Sequence, residues 1–362
     1  MKKTIRGGIA PLALVLLGAM SLAACGGEAA DDTDEKAYDT KTATQVADWL
    51  VAQAPKGVAR NAQYGTDDFG LSADIGIALA QLDGHDAEVE TIAKAVTTNQ
   101  KAYTSPGFGT LTSAGSTAKA LVLQQEADLP DSGLLEQLET TVADSGRIAD
   151  VLEPKNKEAA DYSNTIGQSY AVMALTEAES GKAEAAAAFL AGQQCADGWF
   201  RVTFAADPEA ADQTCEADPK AVADADATAF AVLALQEVDS AEAEKAATAG
   251  VEWLKSTQAK DGSFSSATGN VANSNTTGLA GWALGEADED KAAEKAATWV
   301  AEQVVTCGDA AGAVAFDDAA LADGNEKGLT KETEGMYRLA AAQALPSLEW
   351  LPKGAAPEKS TC

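Results

Sequence analysis

The chain has 362 residues and a formal net charge of −30 at pH 7, with 56 acidic residues against 26 basic ones. Nucleic-acid binding rests on basic side chains that neutralise phosphate, so this balance argues against it. The chain holds one histidine and no CxxC pair, so neither a metal site nor a cofactor is expected.

The first element is a targeting segment. Lys2, Lys3 and Arg6 form a positive start, and Ile9 to Leu17 is an apolar run too short to span a bilayer stably. Leu22-Ala23-Ala24-Cys25 resembles a bacterial lipobox. The resemblance implies removal of residues 1–24 and lipid on Cys25, with the mature protein held on the extracytoplasmic face of the cell membrane. Losing Lys2, Lys3 and Arg6 takes the charge from −30 to −33, so the body would be repelled by anionic lipid and only the anchor would hold it there. Residues 25–42 are Gly, Ala and acidic residues with almost nothing large and apolar, and read as a flexible tether.

From residue 43 a helical unit repeats. Val251, Trp253, Leu254 and Thr257 follow a helix period and lead through Gln258 to Asp261-Gly262-Ser263-Phe264. After a polar loop, Thr277, Ala280, Ala283 and Leu284 form a second stripe. The same order appears upstream as Phe189-Leu190, Gln194, Asp197-Gly198-Trp199-Phe200, then Thr228, Ala231, Ala234 and Leu235. Weaker copies lie at Trp49-Leu50 with Ser72 to Leu79, at Thr117 to Leu123, at Gln168 to Leu175, and at Trp299-Gln303 with Thr333 to Ala341. About six outer–inner helix pairs, spaced by roughly 45 to 60 residues, must stack to bury their stripes. The spacing alone fits a linear solenoid or a closed ring. With no Pro/Gly linker inside, residues 43–345 read as one domain, followed by a tail over 346–362.

The pattern of aromatic–aliphatic, three residues, Gln, then Gly-x-aromatic resembles the QW repeat of squalene–hopene cyclases. It is also similar to the wider α/α toroids: protein prenyltransferases, complement-type thioester domains and the α-domain of cobalamin carriers. The resemblance is strongest over 189–235 and 253–284. It implies an all-α (α/α)6 toroid of six inner and six outer helices.

Cys195, Cys215, Cys307 and Cys362 remain once Cys25 is set aside, an even number that suits an external compartment. The pairing that avoids crossed loops is Cys195–Cys215 with Cys307–Cys362, one of three connectivities.

For chemistry, Asp224-Ala225-Asp226-Ala227-Thr228-Ala229 resembles the DxDDTA motif of class II terpene cyclases. The resemblance makes Asp226 the acid that protonates a double bond, although Ala227 stands where a second carboxylate belongs. The bland reading makes Asp226 a helix-start residue that favours the dipole. Zinc-dependent prenyl transfer and thioester chemistry lack their residues here: His85 lies in a turn-like Leu82–Asp86 stretch, and Gln193-Gln194-Cys195 is not a thioester motif. A lyase for acidic polysaccharide would be repelled by the charge.

In a toroid the N-terminal ends of the inner helices converge on one mouth. Asp224, Asp226, Tyr162, Asn164, Phe230, Asn275, Trp282, Glu334 and Tyr337 are the candidate ligand contacts there, with helix capping and core packing as their alternatives. The leading expectation is a non-catalytic, lipid-anchored binding protein for a small apolar or amphiphilic ligand, corrinoid- or isoprenoid-like. The alternatives are a cyclase-like enzyme using Asp226 and a module that docks another envelope protein. One argument weighs for binding: full class II cyclases place their active site between two helical domains, and this chain has one.

Overall fold

The computed structural model describes residues 38–107, 109–130, 132–156, 159–208, 210–267 and 270–355. The lipobox with Cys25, most of the tether and Cys362 lie outside them, so the Cys307–Cys362 expectation does too.

In chain order the helices are α1 (Thr40–Gln53), α2 (Phe69–Ala80), α3 (Asp86–Thr98), α4 (Gln100–Thr104), α5 (Ala114–Glu126), α6 (Leu134–Glu139) and α7 (Thr165–Glu177). They continue with α8 (Ala183–Ala191), α9 (Ala225–Leu235), α10 (Ala241–Thr257), α11 (Ser274–Glu286), α12 (Asp290–Glu302), α13 (Asp318–Lys327) and α14 (Glu334–Ala344). Two short antiparallel pairs sit in the connections: β1 (Ala59–Asn61) with β2 (Thr66–Asp68), and β3 (Thr110–Thr112) with β4 (Val151–Leu152).

The apolar pattern sorts the helices into two layers. α10 buries Ala243, Ala246, Ala247, Gly250, Val251 and Leu254, a single stripe, and α12 does the same with Ala293, Ala296, Ala297 and Val300. One-striped helices belong on an outer layer. α7, α9 and α11 are buried on every side, as an inner helix must be. Each inner helix packs on the next in the order α2, α5, α7, α9, α11, α14, and α14 packs back on α2. The ring is therefore closed, which decides between the two architectures that spacing allowed. Small residues let it close tightly: Gly115 of α5 meets Gly167 of α7, and Gly278 of α11 sits against Ala344 of α14.

The outer layer closes as well. The turn after α12 brings Gly312 against Gln45 and Trp49 of α1. A 3-10 segment, Leu345–Trp350, is buried between α11, α12 and α1, with Trp350 over Gly285. The two ends of the described chain then meet. The Asp39 N–H donates to the Leu351 carbonyl at 2.7 Å, and Tyr38 bridges Pro352.

The repeat glutamines tie neighbouring units. Gln194 Nε2 donates to the Gly198 carbonyl of its own turn (2.9 Å) and to the Ala246 carbonyl of the next outer helix (2.8 Å). Gln258 does the same with Gly262 (3.0 Å) and Ala292 (2.9 Å). In the third unit Val142 holds the equivalent place, and Gln168 of inner helix α7 supplies the amide instead. Its Nε2 donates to Gly146 (2.9 Å) and Ala186 (3.0 Å), and its Oε1 accepts from the Ile148 N–H (3.0 Å). Gln258→Ala should lower stability by about 1–2 kcal/mol through two lost backbone bonds. An unchanged melting temperature in the variant would remove this role.

Cys195 and Cys215 are disulfide-bonded across the loop between α8 and α9. Arg201 is fully buried under that loop, with Nη2 donating to the Gln193 side chain (2.8 Å) and to the Gln213 carbonyl (2.7 Å).

Candidate active site

Five inner helices start with the same device. Asp68, Ser113, Asn164, Asp224 and Asn273 sit at the caps, and each side chain accepts from the N–H three residues on, at Leu71, Ser116, Gly167, Ala227 and Thr276. The helices run in one direction, so these ends converge. Between them lies a cavity of about 430 Å³, at the lower end of the usual range for small-molecule sites.

The cap fixes which positions face it. Two residues past the cap come Gly70, Gly115, Ile166 and Asp226, and six past the cap come Asp74, Lys119, Tyr170, Phe230 and Leu279; all of them line the cavity. Four residues is about one turn, or about 6 Å of rise, so the second set forms a deeper layer. The α2–α5 side is charged, and the α9–α11 side is apolar with Asp226 above it.

On the charged side, Lys119 Nζ bonds Asp74 Oδ1 at 2.5 Å, with both side chains under one-fifth exposed. Lys119 also stands 5.6 Å from the centre of the Tyr170 ring. Burial works against its charge, but the Asp74 carboxylate pulls the other way, and its pKa lies above the ordinary lysine value. Burial pushes the Tyr103 and Tyr170 phenols up, so both stay protonated. The Tyr170 ring lies 5.2 Å from Phe230, tilted by 51°.

At the rim, Asp150 accepts from the Ala114 N–H (2.8 Å) and the Tyr162 N–H (3.1 Å). Burial raises its pKa, and those two donors pull against the rise. Asp161 below it accepts from Asp150 N–H and pairs with Arg147 at 3.3 Å.

Asp226 is different. Burial first, and the nearby Asp224 carboxylate second, push its pKa up from 3.8 to about 6. The Thr276 hydroxyl is near enough to temper the rise, yet neither Thr276 Oγ1 nor Asp226 Oδ1 completes a hydrogen bond. The result is a carboxyl that is half protonated near pH 6 and lines a cavity, a setting suited to a general acid.

Of the expected contacts, Asp226, Phe230, Tyr162 and Asn164 line the cavity. Five others do not. Asp224 turns to its own helix and accepts from the Ala227 N–H at 2.8 Å. Asn275 donates to Gln343 Oε1, and it is Gln343 that reaches the cavity. Trp282 is core, 5% exposed. Tyr337 is buried, and its hydroxyl donates to the Ala320 carbonyl of α13 at 2.6 Å. Glu334 pairs with Arg338 in an adjoining groove between α2 and α14. Asp224 spends its carboxylate on its own helix start, whereas the caps Ser113 and Asn164 satisfy theirs and still border the cavity.

Lys119, Tyr170, Tyr103 and Asp150 belong to the site and escaped the sequence reading. Ala227, where the resembling motif has a carboxylate, is fully buried.

No family model matches this chain, and no curated protein matches it. Solved structures do match. A type II terpene cyclase from Scytonema, in complex with geranylgeranyl dihydroxybenzoate, aligns at TM-score 0.61 and 15% identity, over 88% of this chain and 97% of that one. The ent-copalyl diphosphate synthase from Streptomyces platensis aligns at TM-score 0.51 and 15% identity, over 78% of this chain and 50% of that one. An unsaturated glucuronyl hydrolase specific for heparin aligns at TM-score 0.59 and 13% identity, over 86% and 96%.

These findings correct the expectation of a non-catalytic binding protein. A single ring covers nearly the whole of the Scytonema cyclase, so one helical domain is no argument against an enzyme. Structures of that cyclase with substrate and with product point to catalysis in such a ring. A ring that also carries sugar hydrolysis leaves the reaction to the site itself. The chain has the fold of the terpenoid-cyclase α/α toroids.

Proposed function

We propose that this protein is a single-ring, terpene-cyclase-like enzyme in which Asp226 is the general acid and the substrate is a small isoprenoid. The observation that carries the reading is Asp226, a carboxyl with its pKa raised to about 6, set in the cavity wall one turn above Phe230.

In the step, the Asp226 O–H bond breaks and the proton joins one carbon of a double bond. The π electron pair forms the new C–H bond, and positive charge is left on the more substituted neighbouring carbon. The Asp226 carboxylate and the faces of Phe230 and Tyr170 stand beside that charge. Attack by a second double bond closes a ring and moves the positive charge to a new carbon, and loss of a proton from the carbon beside the final cation, to the Asp226 carboxylate or to water, ends the reaction. Leu279 and Ile166 supply apolar wall.

Turnover that needs the protonated acid falls about tenfold per pH unit above pH 6. The test is incubation of the purified protein with farnesol, geranylgeraniol and squalene, with products identified by gas chromatography and mass spectrometry. An isomerised or cyclised product is expected, and Asp226→Asn should reduce it by about 10²- to 10⁴-fold. Full turnover in the Asn variant sinks the assignment.

The sequence Leu22-Ala23-Ala24-Cys25 further supports a lipid anchor on the extracytoplasmic face. Cys25→Ser should move the protein from the membrane to the soluble fraction; retention with the membrane removes the anchor.

A further inference from the structure

The cavity bears on the head group that such a substrate would carry, an inference that rests on the isoprenoid reading. Among the described residues that line the cavity, Lys119 is the one cation. Its ammonium is bonded to Asp74 and lies over Tyr170. In the adjoining groove, Arg338 is engaged on three sides: Nε with Gln53 (2.9 Å), Nη1 with the Arg60 carbonyl (2.7 Å) and Nη2 with Glu334 (3.2 Å), while Lys331 is exposed to solvent there.

The helix ends are partly taken as well. A helix N-terminus binds phosphate through free N–H groups. Here the caps occupy the N–H groups of Leu71, Ser116, Gly167 and Ala227, and Asp150 takes that of Ala114. Asp74 cancels Lys119, so Asp150 leaves the lining negative even with Asp226 protonated. Among the described lining residues a diphosphate would meet no unpaired side-chain cation, in a chain of net charge −30.

What remains is neutral. Ser113, Ser116, Asn164 and Gln343 bring hydroxyl and amide groups to the lining. Phe230 and Leu279 across the cavity suit a hydrocarbon chain.

We propose that the cavity takes an isoprenoid with an uncharged hydroxyl head group in place of a diphosphate, and that Asp74 sets this choice by neutralising Lys119. Removing the Asp74 charge would leave a buried ammonium without a counter-ion, facing the cavity and ready to attract phosphate.

The test is calorimetric binding of farnesol and of farnesyl diphosphate to the whole protein. The parent should bind farnesol at least tenfold more tightly. In Asp74→Asn the ratio of the two affinities should shift at least tenfold towards the diphosphate, and Asp74→Glu should restore the parent's preference. Equal or tighter binding of the diphosphate by the parent overturns the proposal, as does an unshifted ratio in a folded Asp74→Asn variant. If Asp74→Asn does not fold, the parent's preference decides. Binding of neither probe overturns both this proposal and the isoprenoid reading. Farnesol binding with full turnover in Asp226→Asn removes the acid assignment and leaves the head-group proposal standing.

Discussion

Asp226→Asn should make the protein more stable at neutral pH while it removes activity. The folded state raises the carboxyl from 3.8 to about 6, a shift of about two units, worth up to about 3 kcal/mol at 1.36 kcal/mol per unit. Asp226 is partly exposed at the cavity, so about 1–3 kcal/mol is the expected range. The sign follows from linkage. Between pH 4 and 6 the folded chain holds a proton that the unfolded chain has lost, so stability falls as pH rises through this window. Above about pH 7 the parent keeps a poorly solvated carboxylate, and asparagine has none. The stability gap should open between pH 4 and 7 and then stay level, giving a melting temperature about 2–6 °C higher at pH 8 and little change at pH 4. If Asp226 merely favoured its helix dipole, the Asn variant would be less stable at pH 8, and that outcome would end the general-acid reading.

Gly146→Ala should be among the most damaging single-methyl changes in the chain. Gly146 has φ +84°, and a Cβ built there falls inside the Ala185 carbonyl group of the next unit. Neither partner is a side chain that can swing away. The turn would have to lift off α8, breaking the Gln168 bonds to Gly146 and Ala186 together. The left-handed φ costs about 1 kcal/mol for alanine, and the clash with the lost bonds brings the total to about 4 kcal/mol or more. Gly84 is the control: its φ is +91°, but nothing lies within 4 Å of an added Cβ. Gly84→Ala should cost only the backbone part. Urea titration of both variants measures the difference directly; equal losses would show that the turn of the third unit is not pressed onto α8.

Much of the ring was legible because helix period and turn chemistry are local. Thr277, Ala280, Ala283 and Leu284 announce an inner helix, and Gln258 with Gly262 announces the join to the next unit. The site was harder to read for a physical reason. Sequence inspection favours polar residues at helix starts, and Asp224 and Asn273 are there to satisfy their own helices. The groups that face the axis sit two and six residues later, where Lys119 and Tyr170 look like ordinary mid-helix residues. Their signal is the setting: a lysine within a helix that is buried on most sides needs a counter-charge, and only Asp74 from the neighbouring helix meets it. Pairings between helices are long-range facts that no periodicity contains. Gln168 shows the same limit. Its stripe is visible, but its substitution for the amide missing beside Val142 appears only when the units are stacked.

The clasp between the chain ends has a bearing on traffic. Tyr38 and Asp39 share a groove with Leu82, Asp83 and His85, just past the C-terminal end of α2, whereas Gly70 and Asp74 near its start line the cavity. A helix of this length spans about 18 Å, so both ends of the described chain leave from the face opposite the mouth. The clasp therefore leaves the mouth of the cavity clear of both ends of the described chain.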